Sequence, residues 1–339
     1  MLYYTWRIIM ATLKEISEIT KLSQSTISRI LNDDASLNVQ EATKKRVLEV
    51  AQQLNYNFSK KNNKSTTTST VKFAVIASFS EKDEINDPYY LSIKYGIKNE
   101  AQLQNIKVSF HYENDISTVK NVSGIIAIGS HSDCILKEFE KITPNILLLD
   151  QKKQNTKFDT LSIDLEEITK SILVYFTKCG FKKIGYIGAR DFSNKKDERE
   201  KAYINYCILN GLEYQKYLYL SDEFSSNSGY ETMTEIIKNN NLPEAIFVAN
   251  DSLAIGVLKA CHENNILVPK QLSIFSINDI LAAEFVYPSL STVHINSEFL
   301  GSFGLKLLLD RYNTSREFPV FVTIPTTLIF RESCKKIEF

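Results

Sequence analysis

The stretch Ser23-Gln-Ser-Thr-Ile-Ser-Arg-Ile-Leu-Asn32 is polar, and its apolar residues fall on one side of a helix. Ile27, Ile30 and Leu31 share that side and are expected to point into a core. The opposite side presents the polar groups of Gln24, Ser25, Ser28 and Arg29. Amide, hydroxyl and guanidinium groups suit contacts with base edges and phosphates in a DNA major groove. The pattern favours a DNA-reading helix, and the alternative is a small three-helix cap on a larger domain.

A first helix with its own start signal precedes this stretch. Thr12 can cap it, and Glu15, three residues on, can bond back to complete a capping box. The residues predicted to face the core recur at three-residue spacing: Leu13, Ile16 and Ile19. The helix should break over residues 20–22, where Ser23 is placed to cap the second helix.

A third helix is expected over residues 39–56, with Asn38 as its cap and Glu41 as the partner of that cap. Its predicted buried stripe consists of Val47, Val50, Ala51 and Leu54. In order and spacing, residues 11–16, 22–32 and 39–56 resemble the DNA-binding headpiece of the LacI/GalR family of bacterial repressors. We therefore expect a helix-turn-helix headpiece over residues 11–57.

The resemblance implies a role for each polar residue of the headpiece. The second helix would lie in the major groove of double-stranded operator DNA, with Gln24, Ser25 and Arg29 reading bases. The residues expected mainly at the phosphates are Ser23, Thr26, Ser28 and Asn32, and Thr12 is also expected at the DNA. Phosphate contacts fix the register, whereas base contacts carry the sequence information.

Charge and cysteine usage agree with contact to DNA through one end of a cytoplasmic protein. The 339 residues have a formal net charge of zero, but residues 11–64 carry about +3. The five cysteines are scattered, which indicates a reducing compartment and neither a disulfide framework nor a zinc site. Residues 1–10 form an extension too short to span a bilayer, and residues 1–9 are interpreted as a start-codon artefact or a dispensable tail.

Beyond the headpiece the chain reads as a linker over residues 58–72 and an α/β body over residues 73–339. Apolar runs of strand length are predicted over residues 71–77, 124–128, 146–149, 183–187, 245–248 and 272–277. Helices are predicted over residues 89–104, 166–179, 198–210, 229–239, 251–264 and 297–311. This alternation predicts parallel sheets covered on both faces, with enough units for two of them.

The resemblance implies two Rossmann-like lobes of periplasmic-binding-protein type with a sugar-sized cleft between them. Lobe 1 is predicted at about residues 73–160 and 294–324, and lobe 2 at about 161–293 and 325–336. Three crossovers between the lobes are expected near residues 159–163, 291–296 and 324–328. We expect a homodimer, and a dimer is favoured over a tetramer because no heptad pattern follows Phe330.

Several residues at strand ends have the chemistry that a sugar site requires: carboxylates, amides, a guanidinium and an aromatic ring. Asp and Asn after strands are also common helix caps, and Asp251 could simply cap the helix that follows it. The resemblance favours ligand contact for Asp150, Arg199, Phe224 and Asn250. The remaining candidates are Asn278, which stands where many relatives carry Asp, its neighbour Asp279, and Tyr89 or Tyr90 in the segment Asn86-Asp-Pro-Tyr-Tyr90.

Residues 32–34, 85–90, 225–231 and 289–292 resemble the branch of the family that controls evolved-β-galactosidase operons, which implies a galactoside effector. The linker departs from the family pattern, because residues 57–64 lack the Pro, the Ala and the wedge Leu of a hinge helix. We therefore expect less DNA bending and more reliance on Lys60, Lys61 and Lys64 at phosphates, with Phe58 as a remote wedge candidate.

The sequence thus indicates a sugar-responsive transcription regulator, and we expect it to act as a repressor. Competing classes are an exported-type sugar-binding protein, a regulator that responds to a non-sugar molecule, and a sugar- or nucleotide-modifying enzyme. The absence of an export signal and the presence of the helix-turn-helix pattern argue against the first. No Walker loop, Gly-x-Ser-x-Gly or metal-spaced His cluster supports an enzyme, so no cofactor is expected.

Overall fold

The structure is a computed structural model that describes residues 12–31, 37, 39–54, 71–151, 157–190 and 196–336. The chain divides into two compact units, Met1–Ser69 and Thr70–Phe339, each with its own core. In the described ranges no helix is long and apolar enough to cross a membrane.

The first unit holds three helices: α1 (Leu13–Thr20), α2 (Gln24–Leu31) and α3 (Glu41–Gln53). Thr12 and Glu15 form the predicted capping box, with the Thr12 amide 2.6 Å from the Glu15 carboxylate. The apolar residues buried between the three helices are Ile16, Ile27, Ile30, Leu31, Val47, Val50 and Ala51. Small clusters of this kind are held together chiefly by the apolar surface that they bury.

The prediction that Ile19 faces this core is wrong. Its side chain is 48% exposed, while the neighbouring Thr20 is buried and donates its hydroxyl to the Ile16 carbonyl at 2.7 Å. Three residues advance a helix by about 300°, so Leu13 and Ile19 lie about 60° to either side of the fully buried Ile16. Four residues advance it by about 400°, which places Thr20 only about 40° from Ile16 and brings Thr20, not Ile19, onto the buried face.

The second unit contains two parallel sheets. The sheet of lobe 1 has the order β11-β5-β4-β3-β1-β2 and all its strands are parallel. Its strands are β1 (Lys72–Ala77), β2 (Lys107–Tyr112), β3 (Gly124–Ile128), β4 (Ile146–Leu149), β5 (Asp159–Ser162) and β11 (Phe321–Thr323). Its helices are α4 (Glu81–Asn86), α5 (Pro88–Leu103), a 3-10 helix (Glu113–Thr118), α6 (Asp133–Ile142) and α12 (Ser297–Thr314).

Alternate residues of the lobe 1 strands enter two different apolar clusters. Phe73 and Val75 pack in the cluster that also contains the buried residues of α5 and α12. Ala74 and Ile76 pack on the other side with Leu136 and Phe139 of α6. Both faces of the sheet are therefore covered, which explains why the strands are apolar throughout.

Lobe 2 has a four-stranded parallel sheet with the order β7-β6-β8-β9. Its strands are β6 (Ile184–Ala189), β7 (Leu218–Ser221), β8 (Ala245–Val248) and β9 (Ser273–Phe275). Its helices are α7 (Leu165–Lys178), α8 (Glu198–Leu209), α9 (Ser226–Lys238), α10 (Asp251–Glu263) and α11 (Leu281–Phe285). The doubly wound architecture predicted from the sequence is confirmed.

The chain passes between the two sheets after β5, around β10 (Thr292–His294) and before β12 (Thr327–Ile329). β10 and β12 pair with each other in an antiparallel ribbon, so two of the connections lie side by side. We call this ribbon and its connections the hinge, which is distinct from the linker after the headpiece. The side chain of Asp251 contacts the hinge at Thr292. Its carboxylate accepts hydrogen bonds from the hydroxyls of Ser276 and Thr292, the latter at 2.6 Å, and from the Ile280 amide at 2.9 Å.

The structure corrects several element predictions. The fourth predicted helix begins at Ser226, not at residue 229, because Ser225 caps it. The last predicted strand is only Ser273–Phe275.

β2, β7 and α6 were not predicted, because β2 and β7 are partly solvated and α6 has only two buried residues. Cys134 is an exposed thiol, and the described cysteines are all free.

Candidate functional site

The exposed face of α2 carries the residues predicted to read bases. Gln24, Ser25 and Arg29 are exposed, and Ser28 and Thr26 are half-buried beside them. Ile27, Ile30 and Leu31 anchor the opposite face in the core of the first unit. The polar side chains are thus presented by a helix whose orientation is fixed by packing, which is the arrangement that a groove-reading helix requires.

Ser23 caps this helix, as predicted. Its hydroxyl accepts a hydrogen bond from the Thr26 amide at 3.1 Å and lies 2.8 Å from the hydroxyls of both Ser25 and Thr26. The cluster brings three hydroxyls together at the N-terminus of α2, where backbone amides favour a phosphate. Asn32 and Asn38 lie outside the described residues, as do the linker residues Phe58, Lys60, Lys61 and Lys64.

In the second unit, Asp87 of lobe 1 contacts two amides of lobe 2. The Nδ2 groups of Asn250 and Asn278 lie 2.8 Å and 3.5 Å from Asp87 Oδ2. Asn250 follows β8 and caps α10 by accepting from the Leu253 amide at 3.0 Å. The alternative that Asp251 caps this helix is therefore wrong.

Asp150 and Tyr89 meet beside this contact. The Tyr89 hydroxyl donates to Asp150 Oδ1 at 3.0 Å, and Asp150 has the left-handed backbone conformation, with φ of 61°. Burial raises the pKa of Asp150 to about 7, although the Tyr89 hydrogen bond and the charge of Arg199 oppose the rise. Burial likewise raises the pKa of Asp87. The region where the two lobes meet therefore holds two carboxyl groups that are costly to keep ionised.

Arg199 brings a positive charge close to Asp87 and Asp150. Its guanidinium makes two hydrogen bonds to Asp197, at 2.7 Å and 2.9 Å, and donates to the Ala249 carbonyl at 2.7 Å. It lies 5.0 Å from the centre of the Phe224 ring. Burial raises the pKa of Asp197, but the charge and hydrogen bonds of Arg199 outweigh burial and leave that pKa below its ordinary value. Arg199 is thus held rigidly and stays charged.

Aromatic rings line the same region. Tyr90 stacks on Phe79 with ring centres 3.9 Å apart, and Tyr89 meets Tyr90 edge-on at 5.2 Å. The structure does not bring Asp279 to this group. Its two oxygens bind Arg331 at 2.7 Å and His294 at 2.9 Å, beside the hinge ribbon.

The structure brings six polar residues together, which we call the cleft group: Asp87, Tyr89, Asp150, Arg199, Asn250 and Asn278. Asp87 was not among the predicted site residues. The signal for it was present, because an Asp directly before Pro88 is a helix-start pattern. Asp197 was also missed, and its role in holding Arg199 could not be read from spacing alone.

Two cavities lie outside the cleft group. One of about 710 Å³ is lined by Cys179, Cys334 and basic residues of the C-terminal segment. The other, of about 250 Å³, is lined by hinge residues that include Val293 and Leu328. Across the described ranges, no group of three or more His, Cys, Asp or Glu residues is arranged to hold a metal ion.

Comparison with known proteins agrees with both units. Residues 12–58 match the family model for bacterial regulatory proteins of the lacI family, and residues 173–334 match that for a periplasmic binding protein-like domain. The chain is 34% identical to the HTH-type transcriptional repressor MelR of Bacillus subtilis (strain 168), covering 96% of this chain and 98% of MelR. It is also 34% identical to the HTH-type transcriptional regulator GalR of Streptococcus thermophilus, covering 96% and 100%.

Solved structures share the fold. A complex of the transcriptional regulator CelR with cellobiose has a TM-score of 0.68 at 19% identity, covering 95% of this chain and 99% of that one. The lac repressor dimer bound to operator and the anti-inducer ONPF has a TM-score of 0.69 at 20% identity, covering 96% and 99%. The chain belongs to the LacI family of bacterial regulatory proteins and is a helix-turn-helix transcription regulator.

Proposed function

We propose that this regulator is a sugar-responsive repressor that binds a near-palindromic operator as a homodimer and takes a galactoside-type effector between its lobes. The observation that carries the effector assignment is the cleft group, in which carboxylates, amides and a guanidinium converge beside the Phe224 ring. A sugar needs this combination, because its hydroxyls both donate and accept and its C–H face packs on an aromatic ring.

The complex of one relative with a sugar supports a sugar effector. The solved CelR relative holds cellobiose, a disaccharide, in a chain with the same two-lobe fold. A galactoside follows more specifically from the sequence resemblance to the evolved-β-galactosidase branch. We assign effector contact to Asp150, Arg199, Phe224 and Asn250, and place Asn278 and Tyr89 beside them.

Operator binding is assigned to the α2 face. Gln24, Ser25 and Arg29 would read bases, while Ser23, Thr26 and Ser28 would hold phosphates together with Thr12 and Asn32. If each headpiece neutralises about four phosphates, log affinity should fall with log salt with a slope of roughly −0.9 per phosphate. Two headpieces on a two-fold dimer would require two half-sites.

Exposed apolar residues on lobe 1 support self-association. Leu91 and Tyr95 of α5 and Phe299 of α12 are each about half exposed, at 49%, 57% and 45%. Large apolar side chains grouped on adjacent helices mark a protein interface more often than open surface. Sedimentation of Tyr95→Lys beside the unaltered protein tests this, and the variant should sediment as a monomer.

The decisive experiment measures retardation of the fragment upstream of the gene, with and without galactose, lactose and cellobiose. A galactoside that shifts operator affinity supports the proposal, and Phe224→Ala should abolish the shift while leaving operator affinity in the absence of sugar unchanged. Operator binding that responds to none of these sugars would favour a regulator of a non-sugar molecule. Sugar binding without any operator binding would favour a transport-type protein, and turnover of the sugar would favour an enzyme.

A further inference from the structure

The contact between Asp87 and Asn250 joins the N-termini of two helices that belong to different lobes. Asp87 caps α5 of lobe 1, with its Oδ1 accepting from the Tyr89 amide at 3.2 Å. Asn250 caps α10 of lobe 2 through its Oδ1. The side-chain atoms that do not cap a helix bond to each other: Asn250 Nδ2 donates to Asp87 Oδ2 at 2.8 Å.

The identity of each atom in this bond is fixed by its own helix. The Leu253 amide requires an acceptor, so the Asn250 oxygen faces α10 and its NH2 group faces lobe 1. The Tyr89 amide also requires an acceptor and donates to Asp87 Oδ1. Asp87 Oδ2 therefore remains to accept from Asn250. Both residues are nearly inaccessible, at 6% and 2% exposed, so water cannot easily replace the bond.

An exposed ion pair also joins the lobes, and it is much more solvated than the Asp87–Asn250 hydrogen bond. Lys82 of α4 and Glu223 of the loop before α9 lie 3.0 Å apart, but their side chains are 73% and 36% exposed. Exposed pairs of this kind contribute little to an equilibrium, whereas a buried hydrogen bond to a charged group contributes more. Closure of the lobes should therefore depend on the buried bond and hardly on the exposed pair.

We propose that the Asp87–Asn250 hydrogen bond is a latch that holds the two lobes closed by joining the caps of α5 and α10. Both residues of the latch lie in the second unit, Thr70–Phe339, so the latch can be tested without DNA or effector. It rests on the proposed function only for its consequence, which is that an effector entering the cleft must open or replace this bond. Asp87 is then a positioning residue for Asn250, and a group with which the effector competes.

An exchange of the two side chains tests the latch. Asp87→Asn should keep the α5 cap, because Asn also caps helices, but its NH2 group would face the NH2 group of Asn250. Asn250→Asp should keep the α10 cap but place two carboxylates together. The double variant Asp87→Asn/Asn250→Asp restores one donor and one acceptor, with the charge moved to lobe 2. Lys82→Ala, at the exposed pair, is the matched control.

The readout is hydrogen exchange of the full-length protein at pH 8, in peptides that span residues 84–92 and 246–256. Each single variant should raise exchange in both segments by roughly tenfold or more, as expected for losing a hydrogen bond to a charged group. The double variant should recover most of the protection, because it loses only the weaker contact between Asn278 and position 87. Lys82→Ala should exchange at the same rate as the unaltered protein. Thermal unfolding of each variant checks that both caps, and hence the fold, are intact.

Protection that is unchanged in both single variants would overturn the latch. So would a double variant as open as the single ones, because direct pairing of these two side chains is the substance of the proposal. These results are independent of the effector. If the unaltered protein binds no sugar in calorimetry, the proposed function fails while the exchange experiment still decides the latch.

Discussion

The Tyr89 hydroxyl and the Asp150 carboxylate are joined by a 3.0 Å hydrogen bond in the cleft, and burial raises the pKa of that carboxyl to about 7. An unfolded Asp has a pKa near 3.9. Between these two values the folded protein holds a proton that the unfolded chain has released. The contribution of Asp150 to stability is therefore full below about pH 4 and is lost as the pH rises towards 7.

We predict that Asp150→Asn removes this loss. The amide oxygen can still accept from Tyr89, but no charge is buried at high pH. Relative to the unaltered protein, the variant should gain stability as the pH rises from 4 to 7, by on the order of 1–3 kcal/mol at pH 8. Urea unfolding at pH 5 and pH 8 measures the difference. Equal differences at the two pH values would contradict the prediction.

Three donors surround the buried carboxyl of Asp251 at the hinge, although burial still raises the pKa of that carboxyl to about 7. Asp251→Ala leaves the Ile280 amide and two hydroxyls without this acceptor, so it should destabilise the protein by about 3 kcal/mol. Asp251→Asn retains an acceptor, and the hydroxyls of Ser276 and Thr292 can rotate to meet its NH2 group. In urea unfolding, Asp251→Asn should therefore keep a higher free energy of unfolding than Asp251→Ala. Equal losses of stability in the two variants would show that the charge of Asp251 itself is required.

On the headpiece, Gln24→Ala should weaken binding to the specific operator and leave non-specific binding nearly unchanged. Gln24 is exposed on α2, so truncation should not disturb the core. A good bidentate base contact discriminates by about 1–3 kcal/mol, which is roughly a 5- to 150-fold change in affinity. Fluorescence anisotropy with operator and scrambled duplexes at one salt concentration provides the measurement. The exposed Gln102→Ala on α5 is the control, and equal loss on both duplexes would assign Gln24 to phosphate.

Local signals predicted the elements that they determine directly. The capping box of Thr12 and Glu15 and the cap at Ser23 needed only the sequence, because each bond spans three residues. The buried strands β3, β4 and β8 were predicted with the bounds that they have, because strands covered on both faces are apolar at every position. β2, whose residues are only half-buried or exposed, gave no such signal.

The parts that sequence reasoning missed depend on contacts distant in the chain. Asp87 and Asn250 are 163 residues apart, and nothing local to either indicates that their caps meet. Asp279 and Asn278 are neighbours, yet Asp279 binds Arg331 and His294 while Asn278 approaches Asp87. Their backbones are both in the positive-φ region, with φ of 121° and 57°, so the two side chains diverge there. A fold-level prediction cannot resolve which of two adjacent polar residues faces the cleft.

The last prediction concerns the packing of α5 on α12, where Gly96 and Gly301 let the two backbones approach closely. A Cβ at position 301 would lie 2.0 Å from the Ile93 carbonyl oxygen, and one at position 96 would lie 2.0 Å from that of Glu298. Neither contact can be relieved by turning a side chain, because both partners are backbone. Gly301→Ala should therefore force the helices apart and cost about 3 kcal/mol or more.

Gly304 is the matched control, one turn further along α12. A Cβ there meets only side-chain methyl groups, at 3.2 Å from Leu147 and 3.4 Å from Leu149. Alanine is a better helix former than glycine by about 1 kcal/mol, so Gly304→Ala should be neutral or slightly stabilising. Chemical denaturation of both variants compares the same substitution in the same helix. Similar losses at positions 301 and 304 would mean that helix separation does not limit stability at this interface.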